Sequence, residues 1–159
     1  MTERTTRPDP TDETSNDAGR ALIEVLILGV LLLIPTVYLL SAVLRLQSAT
    51  FAVTQAARDA GRLIDTAPDL DSGVQRATEA ARIALADQRL PGDAVAVRFV
   101  APGAGCDSAA ISPTLRAGAT FDICVSTPLT LPGVPSTLTD NNTVTGVYTL
   151  HVGEYRETR

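Results

Sequence analysis

The sequence predicts an α+β protein built on one long N-terminal helix, and three observations carry that reading. Residues 25–44, VLILGVLLLIPTVYLLSAVL, form a twenty-residue run without a charge. Three stretches in the C-terminal half alternate apolar and polar side chains with the period of a strand. The only two cysteines, Cys106 and Cys124, fall among those stretches, where one disulfide could staple a small three-stranded antiparallel head.

At 159 residues the chain has room for one globular domain. Its net charge is −5, and all 13 basic residues are Arg. The absence of Lys together with abundant Ala points to a GC-rich, bacterial genome. The acidic balance and the lack of any basic cluster argue against a nucleic-acid partner, because neutralising phosphates requires grouped positive charge.

Residues 1–19 carry two Arg against five Asp or Glu, with two Pro, and have nothing to bury. We expect them to be a disordered leader on the cytoplasmic side. The composition then changes abruptly. As a helix rising 1.5 Å per residue, a twenty-residue run spans about 30 Å, the thickness of a bilayer's hydrocarbon core. It has no polar face, as a soluble core helix would. A cleaved secretory signal would begin basic and be shorter. Residues 20–66 therefore read as a transmembrane helix with its extension. Pro35 lies mid-span, where it removes one amide donor and crowds the carbonyl of Leu31, so a kink is expected there.

Beyond the span, Leu46, Ala49, Val53, Ala56, Ala60 and Leu63 recur at steps of three and four and make one apolar stripe. Such an Ala-rich stripe suits another helix at close range, or the protein's own head domain, equally well. The head is expected over 67–159. It begins with a second helix over 71–89, capped by Asp71 or Ser72, burying Val74, Ala77, Ala81, Ala84 and Leu85 and stopped by Pro91-Gly92. Strands follow, with Val95, Val97 and Phe99 on one face of the first, Phe121, Ile123 and Val125 on one face of the second, and Val144, Tyr148, Leu150 and Val152 on the third. Cys124 has the parity of the opposite face, so a Cys106–Cys124 bond would hold the preceding loop over the outside of the sheet. In a cytosolic chain these thiols would stay reduced, so the bond requires export of the head.

No motif for an enzyme emerges. The single His151 points away from the predicted core, two cysteines and one distant His do not make a metal-ligand set, and no nucleophile–base pairing is evident. Asp69 and Asp71 stand at a Pro-led turn and read as capping residues. Asn141-Asn142-Thr143 matches a glycosylation acceptor, a pattern of little weight in a bacterial chain. We expect no cofactor and no small-molecule substrate.

The informative junction is Asp17-Ala18-Gly19-Arg20-Ala21-Leu22-Ile23-Glu24-Val25. A carboxylate at the end of an apolar span carries a cost that wants an explanation. Glu24 could simply snorkel to the interface beside Arg20, one turn earlier. Alternatively, this junction resembles the processing site of type IV prepilins. The resemblance implies cleavage between Gly19 and Arg20 by a prepilin peptidase on the cytoplasmic side. It also implies that Glu24 neutralises the new amine of a neighbouring subunit. More narrowly, residues 19–65 resemble the TadE-like minor pilins, or pseudopilins, of tight-adherence (Flp) pilus systems. The shared features are G-x-x-x-x-E, an apolar run with an internal Pro, and Ala-Ala-Arg-Asp-Ala-Gly-Arg at 56–62. The family usually has an aromatic residue where Val25 stands, and a Pro closer to the Glu than Pro35. The resemblance implies a single-pass cell-membrane protein with its head outside. Its expected partners are the bilayer, other pilins and the pilus assembly platform. The alternative is an uncleaved single-pass protein whose head binds an envelope partner. Arg4, Arg7 and Arg20 before the span balance Arg45, Arg58 and Arg62 after it, so charge asymmetry does not set the orientation.

Overall fold

The structure is a computed structural model that describes residues 11–131 and 142–154, with side chains from residue 19 onward. The fold is α+β. Helix α1 covers Thr11–Asp65, α2 covers Leu70–Asp87, and a short 3-10 turn covers Gly92–Ala94. Strands β1 (Ala96–Val100), β2 (Thr120–Pro128) and β3 (Thr143–His151) form an antiparallel meander in the order β1-β2-β3. The chain divides into two compact units, Met1–Leu40 and Ser41–Arg159.

The first unit holds the apolar run of α1. Leu22 to Leu40 expose their large apolar side chains throughout, as Leu31 at 68% and Leu32 at 71% illustrate. Within Gly19–Asp65 the helix is long and apolar enough to cross a membrane. It continues unbroken through Pro35. Next to that proline, the Thr36 hydroxyl donates to the Leu32 carbonyl at 2.8 Å. The helix also begins earlier than expected: residues 11–19, read from composition as disordered, are helical. Once a long apolar segment has met the cost of nucleation, each residue added to its end costs only propagation, which polar residues tolerate. Residues 1–10 of that expected segment lie outside the described residues.

The second unit is the head. Ala49, Val53, Ala56, Ala57, Ala60, Gly61 and Ile64 are its buried helical wall. This corrects two members of the predicted stripe: Leu46 is 47% exposed and Leu63 only half-buried, while Ala57, Gly61 and Ile64 are inside. The wall is wider than one stripe because the helix meets two neighbours. Gly61 faces Tyr148 and Ile123 of the sheet, and Ile64 lies against Gly73 of α2. The stripe that could have served another helix is therefore used by the protein's own head.

Helix α2 starts one residue earlier than predicted because its N-cap is Asp69, whose carboxylate accepts from the Ser72 amide at 2.8 Å and the Ser72 hydroxyl at 2.9 Å. Gly73, Ala77, Ala81 and Leu85 are its buried side; Val74 and Ala84 are half-buried. Its C-terminus is a Schellman motif, with Leu90 N–H donating to Leu85 O at 3.0 Å and Arg89 N–H to Ala86 O at 2.9 Å. Arg89 adopts the left-handed conformation (φ 57°) that Gly usually supplies at this position.

The strand parities are as the alternation predicts. Val97 pairs with Val125, Phe99 with Ile123, Ile123 with Tyr148 and Phe121 with Leu150. All of these lie on the face toward the helices, where Phe99 and Phe121 meet edge-to-face at 5.8 Å. Gly146 sits opposite Val125, and a Cβ there would overlap the Val53 backbone of α1.

Candidate functional site

Three places could carry function: the junction at the start of the apolar run, the loop stapled over the sheet, and a groove on the helical side of the head.

Gly19, Arg20 and Glu24 all lie on α1 with exposed side chains. Arg20 and Glu24 are one turn apart, yet no ion pair joins them among the described residues. A side chain at Gly19 would meet nothing within 4 Å. Packing therefore does not require glycine at that position.

On the far side of the sheet, Cys106 and Cys124 are bonded, with Cα atoms 5.8 Å apart. The bond holds the 101–119 loop as expected, but it has help that the sequence did not disclose. Asp122, beside Cys124 on β2 and 4% exposed, accepts from the Gly103 amide at 2.8 Å and from the Thr149 hydroxyl at 2.6 Å. Arg98 of β1 donates to the carbonyls of Cys106 (3.3 Å) and Ser108 (3.1 Å). The Ile111 amide donates to Phe99 O at 2.9 Å along the free edge of β1. Gly103 and Gly105, with φ of 72° and 81°, supply the turns. A charge inside an otherwise apolar strand was the available signal for Asp122; its parity placed it outside, and only the loop buries it.

Arg45 is the first charge after the apolar run. Its guanidinium donates to the carbonyls of Thr130 (3.0 Å) and Arg89 (3.3 Å), tying the loop after β2 and the end of α2 to the helix. Nothing in the sequence near Arg45 signals these two carbonyl partners, which lie 44 and 85 residues away. His151 is exposed, with Nδ1 at 3.0 Å from the Thr120 hydroxyl. The Ser72 amide, then the Ser72 hydroxyl, hold the Asp69 carboxyl below its ordinary pKa. Asn141 of the acceptor pattern lies outside the described residues.

The groove runs between α1 and α2. Ser48, Phe51, Ala52 and Gln55 line one wall, and Ala84, Asp87 and Gln88 the other, around about 510 Å³. Ser48 and Gln88 are bonded across it at 3.3 Å. Phe51 stands at its mouth, 76% exposed. Comparison with protein-family models, curated proteins and solved structures yields no match to this chain.

Proposed function

We propose that this chain is a pilin-like membrane protein, resembling the TadE-like minor pilins of tight-adherence pili, and that it acts by assembly. It would be inserted through α1 and processed between Gly19 and Arg20. The observation that carries the reading is the junction itself. A glycine with no packing role stands five residues before a carboxylate that opens a charge-free run, on one continuous helix. An apolar filament core gives Glu24 a partner, because the amine released on Arg20 of a neighbouring subunit is the charge it would neutralise. The disulfide favours the orientation that cleavage needs, with the head in an oxidising compartment and the leader in the cytoplasm.

A second reading draws on the buried wall of α1. Because Val53, Ala57, Ala60 and Ile64 are consumed by the head, that face of the upper helix is closed to lattice packing and only the side of Phe51 and Arg58 stays open. An uncleaved single-pass protein displaying its head to an envelope partner fits that economy.

The deciding experiment is the N-terminal residue of the protein isolated from its host's membranes. A mature chain starting at Arg20, together with loss of pili in Glu24→Gln, supports the pilin-like role. An intact leader, with normal pili in Glu24→Gln, sinks it and leaves the second reading.

A further inference from the structure

We infer that a polar concavity beside Arg45 holds the headgroup of a lipid carrying both a phosphate and a primary ammonium, as phosphatidylethanolamine does. The inference rests on the membrane-spanning part of the proposed function.

Leu44, Arg45 and Ser48 of α1 and Asp87, Gln88 and Arg89 at the end of α2 line this concavity of about 350 Å³. Its depth follows from the apolar run. With residues 25–44 across the hydrocarbon, the α1 wall from Leu44 to Ala49 rises through about the next 7 Å. The interfacial layer outside the hydrocarbon is about 5–8 Å deep. The concavity therefore lies among the headgroups, and the exposed Leu44 side chain at its lower end meets acyl chain. Arg45 fixes the opposite wall at that height, because its guanidinium holds the Arg89 and Thr130 carbonyls.

The charges say what fits. Arg45, Arg89 and Asp87 all line the concavity, yet no ion pair joins them among the described residues. Arg45 spends two of its five N–H groups on the two carbonyls and keeps three. The Arg89 side chain is exposed. Both guanidinium groups suit phosphate oxygens. Asp87 opposes a purely anionic ligand but accepts from an ammonium. Helix α2 has no basic residue in its last turn, so a cation beside Asp87 also complements the negative end of the helix. A headgroup with both charges satisfies both sides. Its ammonium must carry hydrogens, because the Asp87 carboxylate and the Gln88 amide oxygen are acceptors. No aromatic side chain lines the concavity to hold a quaternary ammonium against its face, so choline does not suit it.

The test uses the full-length chain in nanodiscs of equal phosphatidylethanolamine, phosphatidylcholine and phosphatidylglycerol, with lipids retained after gentle release counted by native mass spectrometry. Phosphatidylethanolamine should be retained severalfold over the other two, and Asp87→Asn should abolish the preference. Arg89→Gly, which keeps the carbonyl that receives Arg45, should lower its retention severalfold. Arg82→Gln, on α2 outside the concavity, should change neither. Equal retention of the three lipids, a preference for phosphatidylglycerol, or a preference that survives Asp87→Asn each overturns the inference. Excess soluble phosphoethanolamine should leave the lipid in place, since acyl chains also hold it; full displacement would assign the site to the free phosphoester instead. Alkaline washing of native membranes separates the two failures. A chain that washes off removes the span and the headgroup site with it, whereas a chain that stays but shows no lipid preference removes the site alone.

Discussion

Gly146 of β3 lies against the backbone of Val53 on α1, so closely that a methyl group there would overlap the Val53 carbonyl. The contact fixes how near the helix approaches the sheet. Backbone has no rotamer with which to yield, so Gly146→Ala should destabilise the head by about 3 kcal/mol, the upper range for overpacking. Gly61→Ala should cost less. There the obstacle is the Tyr148 ring, which can move, and alanine improves helix propensity. Denaturant unfolding followed by circular dichroism would rank the two; equal losses would mean the sheet, not the side chain, sets the spacing.

The stapled loop has two fastenings on one strand, the Cys124 bond and the Asp122 carboxylate. Replacing both cysteines by serine should cost about 3 kcal/mol, the chain-entropy value for a loop closed over a separation of 18 residues. Asp122→Ala alone strands the donors of Gly103 and Thr149 and should cost about 1–3 kcal/mol. Because both hold the same loop, the combined variant should lose less than the sum. Strict additivity in a double-mutant cycle would show that the two act on separate parts of the head.

Arg89 occupies a backbone conformation that costs a side-chain-bearing residue about 1–2 kcal/mol. Arg89→Gly should therefore stabilise the head by about 1 kcal/mol, because the carbonyl that receives Arg45 remains. A fall in thermal midpoint would mean that the Arg89 side chain contributes more than its strain removes.

Asp69 caps α2 as a carboxylate whose pKa lies below its ordinary value because of the Ser72 amide and hydroxyl. A depressed folded value means that the cap's contribution is complete above the unfolded pKa, about 4 for Asp. It is lost as pH falls through the folded one. The first turn of α2 should fray in acid, and Asp69→Asn, which still accepts from Ser72 but does not titrate, should abolish that dependence. Amide exchange at Ser72 and Gly73 across the acid range would decide it.

The sequence disclosed what depends on period and composition. Twenty charge-free residues made the apolar helix legible, and alternation placed Phe121, Ile123 and Val125 on the inner face with Cys124 outside. What it hid depends on neighbours distant in the chain. A single stripe of threes and fours describes a helix with one neighbour; α1 has two, so Ala57 and Ile64 are buried although the pattern excludes them. Asp69 and Asp71 both read as capping residues in the sequence, and only the turn of the backbone selects Asp69, over Asp71 or Ser72, as the cap of α2. Asp122 and Arg45 take their roles from loops whose course no local pattern encodes. At the junction, the spacing of Gly19 and Glu24 was visible at once, while the helical backbone on both sides of Gly19 was not.

Strand β2 is buried on both parities from Phe121 to Val125, since one face meets the helices and the other lies under the stapled loop. Its neighbours alternate between covered and open positions, as β3 does. Evolution therefore has unequal room to work. Drift in the head should collect along β3's outward residues other than Thr149, which serves Asp122, and along the exposed stretch of the loop near Ala109, Ala110 and Ile111. The middle of β2 offers no position where a change goes unnoticed.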